Sequence, residues 1–359
     1  MNNYYFIFAF VLMNSFLSAQ DSTVSNKGIA LSIFADIYYS YDFNKPPSHQ
    51  KPSFLYNHNR HNEVNINLAL AKVSFNKERI RANIGLMAGT YVQYNLSAEP
   101  ELLRHLYEAN AGIKISCNRD LWIDAGILPS HIGFETVISK DNWTLTRSIA
   151  AENSPYYESG IKITYSSSNK KILISGLVLN GWQRIRRPDY NNTPAFGTQL
   201  IISPTGNITF NWSSFIGNDK PDSARQMRWF NNFYSIINLD EKFGITAGFD
   251  IGWQEKLNSA KKDNWFSPIL ILRFMPDEKS AIALSVEYYC DPNEVIIATG
   301  TPHGFKTFGA AFNIGKKLFD HVWWRTELRL LKSKDAIFLK KNSLHNNHIA
   351  ITTSFAISF

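Results

Sequence analysis

The sequence predicts an all-β protein, a single transmembrane up-and-down β-barrel of antiparallel strands, and three observations lead there. Segment after segment alternates greasy and polar side chains with the period of two that belongs to a strand between unlike solvents. The connections between these segments are short and long in turn. After Ala19 no apolar run approaches the roughly 20 residues that a spanning helix needs, so a membrane crossing here must be made by strands.

The last segment, His345 to Phe359, reads HNNHIAITTSFAISF. Counting back in twos, Phe359, Ile357, Phe355, Thr353, Ile351 and Ile349 form one face, and Ser358, Ala356, Ser354, Thr352, Ala350 and His348 the other. A last strand closing on an aromatic residue resembles the way Gram-negative outer-membrane barrels end.

Upstream, Gly28 to Phe43 is a tyrosine-rich strand. Glu63 to Phe75, with Val64, Ile66, Leu68 and Leu70 set against Asn65, Asn67, Ala69 and Ala71, forms a hairpin with Arg79 to Tyr94 across the polar break at Asn76, Lys77 and Glu78. The same unit recurs. Tyr107 to Ser116 turns into Leu121 to Leu128, Tyr157 to Tyr165 into Ile172 to Trp182, and Phe196 to Ile202 into Ile208 to Ile216. Trp229 to Leu239 turns into Phe243 to Trp253, Trp265 to Phe274 into Ile282 to Tyr289, and Phe305 to Ile314 into Val322 to Leu331. Between the short turns lie long polar connections, the longest from Pro129 to Tyr156. The count is about sixteen strands, or about 14 or 18 if a hairpin is lost or gained, and an even number leaves both termini on the periplasmic side. Tyr38, Tyr39, Tyr41, Tyr91, Tyr94, Trp182, Trp212, Trp229, Trp253, Trp265, Tyr288 and Tyr289 fall near predicted strand ends, where interfacial aromatic belts form.

Residues 1–19, with an apolar run from Tyr4 to Leu12 and Leu-Ser-Ala ending at Ala19, read as an export signal, leaving 20–359 as one barrel domain. The composition, 44% hydrophobic and 14% aromatic, is too polar for a helical membrane bundle and too aromatic for a disordered chain. Cys117 maps to a periplasmic strand end and Cys290 to an outer one, so the two are expected to stay unpaired. The net charge of +7 points to an anionic surface or anionic solutes; with export and aromatic strands, nucleic acid is discounted as a partner.

A barrel of this size encloses a water-filled interior rather than one packed solid with side chains. Charged residues in mid-strand then point inward, because facing lipid would cost each a few kcal/mol. By phase these are Arg81, Glu108, Lys114, Asp124, Glu158, Lys162, Asp250, Arg273, Glu287, Arg325, Glu327 and Arg329, a mixture of signs that allows pairing across the lumen and a mild preference for anions. The connection from Pro129 to Tyr156 follows the fifth strand, a position from which porin loops fold inward. Its Glu135, Lys140, Asp141, Arg147 and Glu152 would supply both signs of charge at a constriction.

The stretches IFADIYYSYDFNKP (Ile33 to Pro46), NEVNINLALAKVSF (Asn62 to Phe75), AGTYVQYN with AEP after it (Ala88 to Pro100) and GFETVISKDNWTLTRSIAAENSPYYESG (Gly133 to Gly160) together resemble the β-barrel porin-2, or OmpL-like, family common in Bacteroidetes-type bacteria. The resemblance implies an outer-membrane porin passing small hydrophilic solutes, surrounded by outer-membrane lipid and, by analogy with porins of this size, a homotrimer. It brings no catalytic or ligand residues with it. His58, His61 and Glu63 are spaced as metal ligands could be, but without HExxH or a cysteine partner no metal is expected, nor any other cofactor. There is no GxSxG elbow, P-loop or dinucleotide fingerprint, so no enzyme activity is expected. Two other functional readings stand beside the passive channel: a substrate-specific uptake channel, for instance for oligosaccharides, and a non-conducting adhesive or structural barrel.

Overall fold

The structure is a computed structural model that describes residues 28–259 and 261–359; the expected export signal lies outside them. The first eight strands are β1 Ile29–Asp42, β2 Val64–Lys77, β3 Ile80–Ala88, β4 Leu106–Lys114, β5 Asp120–Pro129, β6 Tyr157–Ser166, β7 Ile172–Leu179 and β8 Ala195–Thr205. They are followed by β9 Ile208–Asn218, β10 Met227–Asn238, β11 Phe243–Glu255, β12 Lys262–Asp277, β13 Ser280–Asp291, β14 Phe305–Phe319 and β15 Val322–Ser333. A small hairpin, β16 Phe338–Lys340 with β17 Ser343–His345, sits in the last long connection before β18 Asn347–Ser358.

Each strand from β1 to β14 pairs antiparallel with the next, and β18 bridges β15 and β1. The sheet therefore closes as a 16-strand barrel with no open edge. Closure runs through Tyr38 opposite Ser354 and Ile37 opposite Phe355. Since the strands pair around a closed ring, apart from local bulges, the wall can stand in hydrocarbon.

The side chains follow the expected phase on most strands. Ile351 and Phe355 are exposed on β18, while His348, Thr352, Ser354 and Ser358 are buried behind them. Ile161, Ile163, Phe196, Phe233, Phe312 and Leu328 continue the greasy exterior around the wall. So much exposed apolar surface, ringing the whole barrel, is stable only against lipid. Among the described residues no helix is long and apolar enough to span a membrane.

Two departures matter for the interior. The pairing of β1 with β2 shifts register between Asp36 and Ile37, which leaves Asn67 as an extra residue. One extra residue reverses the phase. Val64 and Ile66 face out as expected, but Leu68 and Leu70 are buried inside, and Lys72 shares their face. The third strand, expected to run to Tyr94, ends at Ala88 and gives way to the short helix α1, Thr90–Asn95. The break is Gly89, at φ 130°, where an added Cβ would stand 2.4 Å from the Asn67 carbonyl oxygen. Only glycine fits that approach, and it turns Tyr91 and Val92 into the interior.

The aromatic belt is thinner than expected. Trp212 stands on the outer face, but Tyr38, Tyr91, Trp265 and Tyr289 are almost fully buried inside, and Trp182 packs there against Phe215 and Phe230. Cys117, exposed in a short turn, and Cys290, buried near the far end of β13, are both free.

Candidate functional site in the barrel interior

The interior is organised by the chain between β5 and β6. It leaves the wall where the Ser130 N–H donates to the Tyr156 carbonyl at 3.0 Å, then crosses inside the barrel. His131 is its first anchor. Its Nδ1 lies 2.7 Å from Glu158 on β6, and its Nε2 lies 2.8 Å from the Ser214 carbonyl on β9. Gln199 and Ser213 donate to the His131 carbonyl. Farther on, the Gly133 N–H donates to Asn232 on β10, and Phe134 packs edge-on to Tyr234.

The loop then reaches the opposite wall, where β13, β14 and β15 present a ladder of polar side chains. The Arg325 guanidinium donates to the carbonyls of Ser139, Asn142 and Thr144. The Asn313 side-chain oxygen accepts the Leu145 N–H at 2.8 Å. Glu327 accepts the Thr146 N–H at 3.0 Å and its hydroxyl, and Glu287 accepts the Ile149 N–H at 2.6 Å. Arg329 bonds Glu287, the Thr146 hydroxyl and the Arg147 carbonyl. Charged hydrogen bonds to backbone groups in a water-poor interior are among the stronger fastenings a loop can have.

The loop ends in the one-turn helix α2, Ile149–Glu152, capped by Ser148, whose hydroxyl accepts the Ala151 N–H. The Ser148 N–H and hydroxyl both donate to Glu135, so the two limbs of the loop are tied together. Burial pushes the Glu135 carboxyl up to about 7. Glu152 reaches a second inward segment, 44–62, where its carboxylate accepts the Tyr56 and Asn57 N–H groups and the Asn57 amide. Arg147, itself buried, pairs with Glu152 at 3.5 Å and stacks on Tyr156 at 3.1 Å. Segment 44–62 is held to the wall by His58 Nε2, 2.9 Å from Asp36. Lys51, buried in the same segment, has its ammonium pulled down to about 8 by desolvation.

Toward the long-loop end the interior is packed with apolar side chains. Phe54 from segment 44–62 and Phe338 from β16 pack with Phe305, Tyr289, Trp265 and Leu331 from the wall.

The twelve charged residues expected to point inward divide by exposure. Glu108, Asp124, Glu158, Asp250, Glu287, Arg325, Glu327 and Arg329 are buried in pairs or loop contacts; Arg81, Lys114, Lys162 and Arg273 keep partial exposure. Glu108 pairs with Lys72 at 2.5 Å, Asp124 with Arg81, and Asp250 accepts from Asn232 at 2.6 Å. Of these twelve, the four that keep partial exposure are all cations. Among the five loop residues, Arg147 and Glu152 are buried, Glu135 and Lys140 partly exposed, and Asp141 exposed.

Sequence reasoning missed Lys72, Asn313, His131 and Asp36. Lys72 was hidden by the phase reversal at Asn67; Asp36 sits in mid-strand on β1 and the phase of that strand would have found it; His131 and Asn313 carry no local signal, because their partners are distant in the chain. His58, His61 and Glu63 do not converge. His58 goes to Asp36, the His61 ring accepts the Asp42 N–H at 2.8 Å, and Glu63 pairs with Arg60 at 2.7 Å.

Residues 28–359 match the family described as "Putative beta-barrel porin-2, OmpL-like". The chain belongs to that family. It is a β-barrel porin of the outer membrane. Solved structures share the porin's fold at low identity. The anion-selective porin from Comamonas acidovorans matches with a TM-score of 0.61 at 10% identity, covering 92% of this chain and 99% of that one. The outer membrane channel DcaP of Acinetobacter baumannii matches with a TM-score of 0.61 at 9% identity, covering 94% and 99%. OprB of Pseudomonas putida matches at 0.59 and 10% identity, covering 93% and 95%. A comparison with curated protein sequences found no match.

Proposed function

We propose that this porin is a passive diffusion channel for small hydrophilic solutes, with a lean toward anions. The short turns and both strand termini face the periplasm and the long connections face outward. The loop between β5 and β6 is the constriction. The observation that carries the reading is the path of this loop: it crosses the interior and is fastened to the far wall by Arg325, Glu327 and Arg329, while Arg81, Lys114, Lys162 and Arg273 keep partial exposure. Solutes then pass over a constriction edged by cations, and no bond is made or broken. Assembly as a trimer is part of the same proposal and rests on analogy with porins of similar size.

One observation favours the second reading, a barrel that does not conduct at rest. Segment 44–62, β16 and the loop fill the interior toward the long-loop end, with Phe54, Phe305 and Phe338 in contact. Single-channel recording of the refolded porin in planar bilayers separates the two. Discrete steps that scale with salt concentration support a channel; a correctly folded barrel that yields no steps leaves the structural or adhesive reading.

A further inference from the structure

The interior cations differ in how their charge is balanced. Arg81 pairs with Asp124, Lys72 with Glu108, Lys114 with Asp120, Arg147 with Glu152 and Arg329 with Glu287. Arg325 is saturated by loop carbonyls and has Asp36, Asp141 and Glu327 around it. Lys51, Lys162 and Arg273 form no ion pair among the described residues, but Glu327, Asp42 and Glu152 act on Lys51 and Glu158 and Asp124 on Lys162, which leaves Arg273 apart. Among the described residues no acid forms an ion pair with it, and the two side chains that seat it are neutral.

Its seat is nevertheless built. The guanidinium lies over the Trp143 ring, 4.2 Å from the centroid, and its Nη2 donates to the Asn238 side-chain oxygen at 3.0 Å. Trp143 in turn occupies space left by Gly244, where an added Cβ would come within 2.6 Å of the ring. Strands β10, β11 and β12 and the inward loop each contribute one residue to this arrangement. Nε is buried with no hydrogen-bond partner. A partly desolvated guanidinium, oriented by an aromatic face and an amide but lacking a counter-ion, attracts an anion from water more strongly than one already neutralised.

We infer that Arg273, held on Trp143 and by Asn238, is the specificity-determining cation of the constriction and the transient docking point for small solutes bearing a carboxylate or phosphate. The inference rests on the proposed channel and names the solute class it favours. Paired cations such as Arg81 contribute less, because a fixed carboxylate competes with the solute for the same donors.

The test uses the full refolded porin and its Arg273→Gln, Arg273→Lys and Trp143→Phe variants, each checked for folding by heat-modifiable gel migration. In a potassium chloride gradient across a bilayer, Arg273→Gln lowers the chloride-to-potassium permeability ratio about fivefold, while Arg273→Lys keeps most of it. An unchanged ratio in Arg273→Gln channels overturns the inference and leaves the porin reading standing. Absence of steps from the wild type sinks the channel reading instead, and a second measurement still decides about the site. Inorganic phosphate titrated into detergent-solubilised porin produces a saturable change in tryptophan emission that is lost in both Arg273→Gln and Trp143→Phe. The same change in all variants, or no saturable change in the wild type, overturns the docking point.

Discussion

Glu152 joins the two segments that fill the barrel, and removing it tests whether they act as one body. Glu152→Ala strips the acceptor from the Tyr56 N–H, the Asn57 N–H and the Asn57 amide, and leaves buried Arg147 without a carboxylate. Hydrogen bonds to a charged group contribute about 1.5–3 kcal/mol each, and an orphaned buried charge costs about 3–5 kcal/mol. These effects overlap, since they share one carboxylate, so about 4 kcal/mol is a fair sum for the loss. That moves the ratio of docked to undocked loops by roughly a thousandfold. The wall does not depend on Glu152, so the barrel folds and only its contents loosen. In planar bilayers the variant should show larger steps and faster flicker than the wild type, and in native gels its interior loops should become cleavable by protease. Step size, dwell times and protease resistance all equal to those of the wild type would refute the reasoning, because the two segments would then be held independently of the carboxylate.

Arg325→Ala frees the carbonyls of Ser139, Asn142 and Thr144; conductance should rise with little change in ion selectivity, read from the reversal potential in a salt gradient. Glu135 gives a pH dependence. Its folded pKa, raised to about 7, means the seated loop binds a proton that the free carboxyl releases, so loop seating is strongest below about pH 4.3 and weakens as pH rises through about 7. Conductance should therefore be higher at pH 8 than at pH 5, and Glu135→Gln should flatten the profile. Gly89→Ala forces a side chain against the Asn67 carbonyl at a left-handed φ; urea titration should show a stability loss of about 2 kcal/mol or more.

The barrel was legible because its wall meets two solvents. On β18 every second residue from Ile349 to Phe359 faces out, and nothing in the structure contradicts the phase read from the letters. The hairpins were equally readable, since their short turns carry the polar breaks. The interior was not, for two physical reasons. A bulge leaves no mark in composition: Leu68 and Leu70 look like the continuation of Val64 and Ile66 until the extra residue at Asn67 is seen to turn them around. An aromatic ring near a strand end also looks the same whether it meets lipid headgroups or another loop. Tyr38 sits beside Tyr39, yet its hydroxyl accepts the Arg60 N–H inside the barrel. The charges pointing inward could be counted from phase, but which of them face water was decided by a loop whose contacts on β13 to β15 lie more than a hundred residues along the chain.

The central claim is that the segment between β5 and β6 obstructs the passage through a lipid-embedded barrel. Deleting Ser139 to Ala151 and recording single channels in planar bilayers tests it most directly. Steps several-fold larger than those of the wild type are expected, carried by a barrel that still migrates as folded. Steps of unchanged size from a folded deletion variant would contradict it.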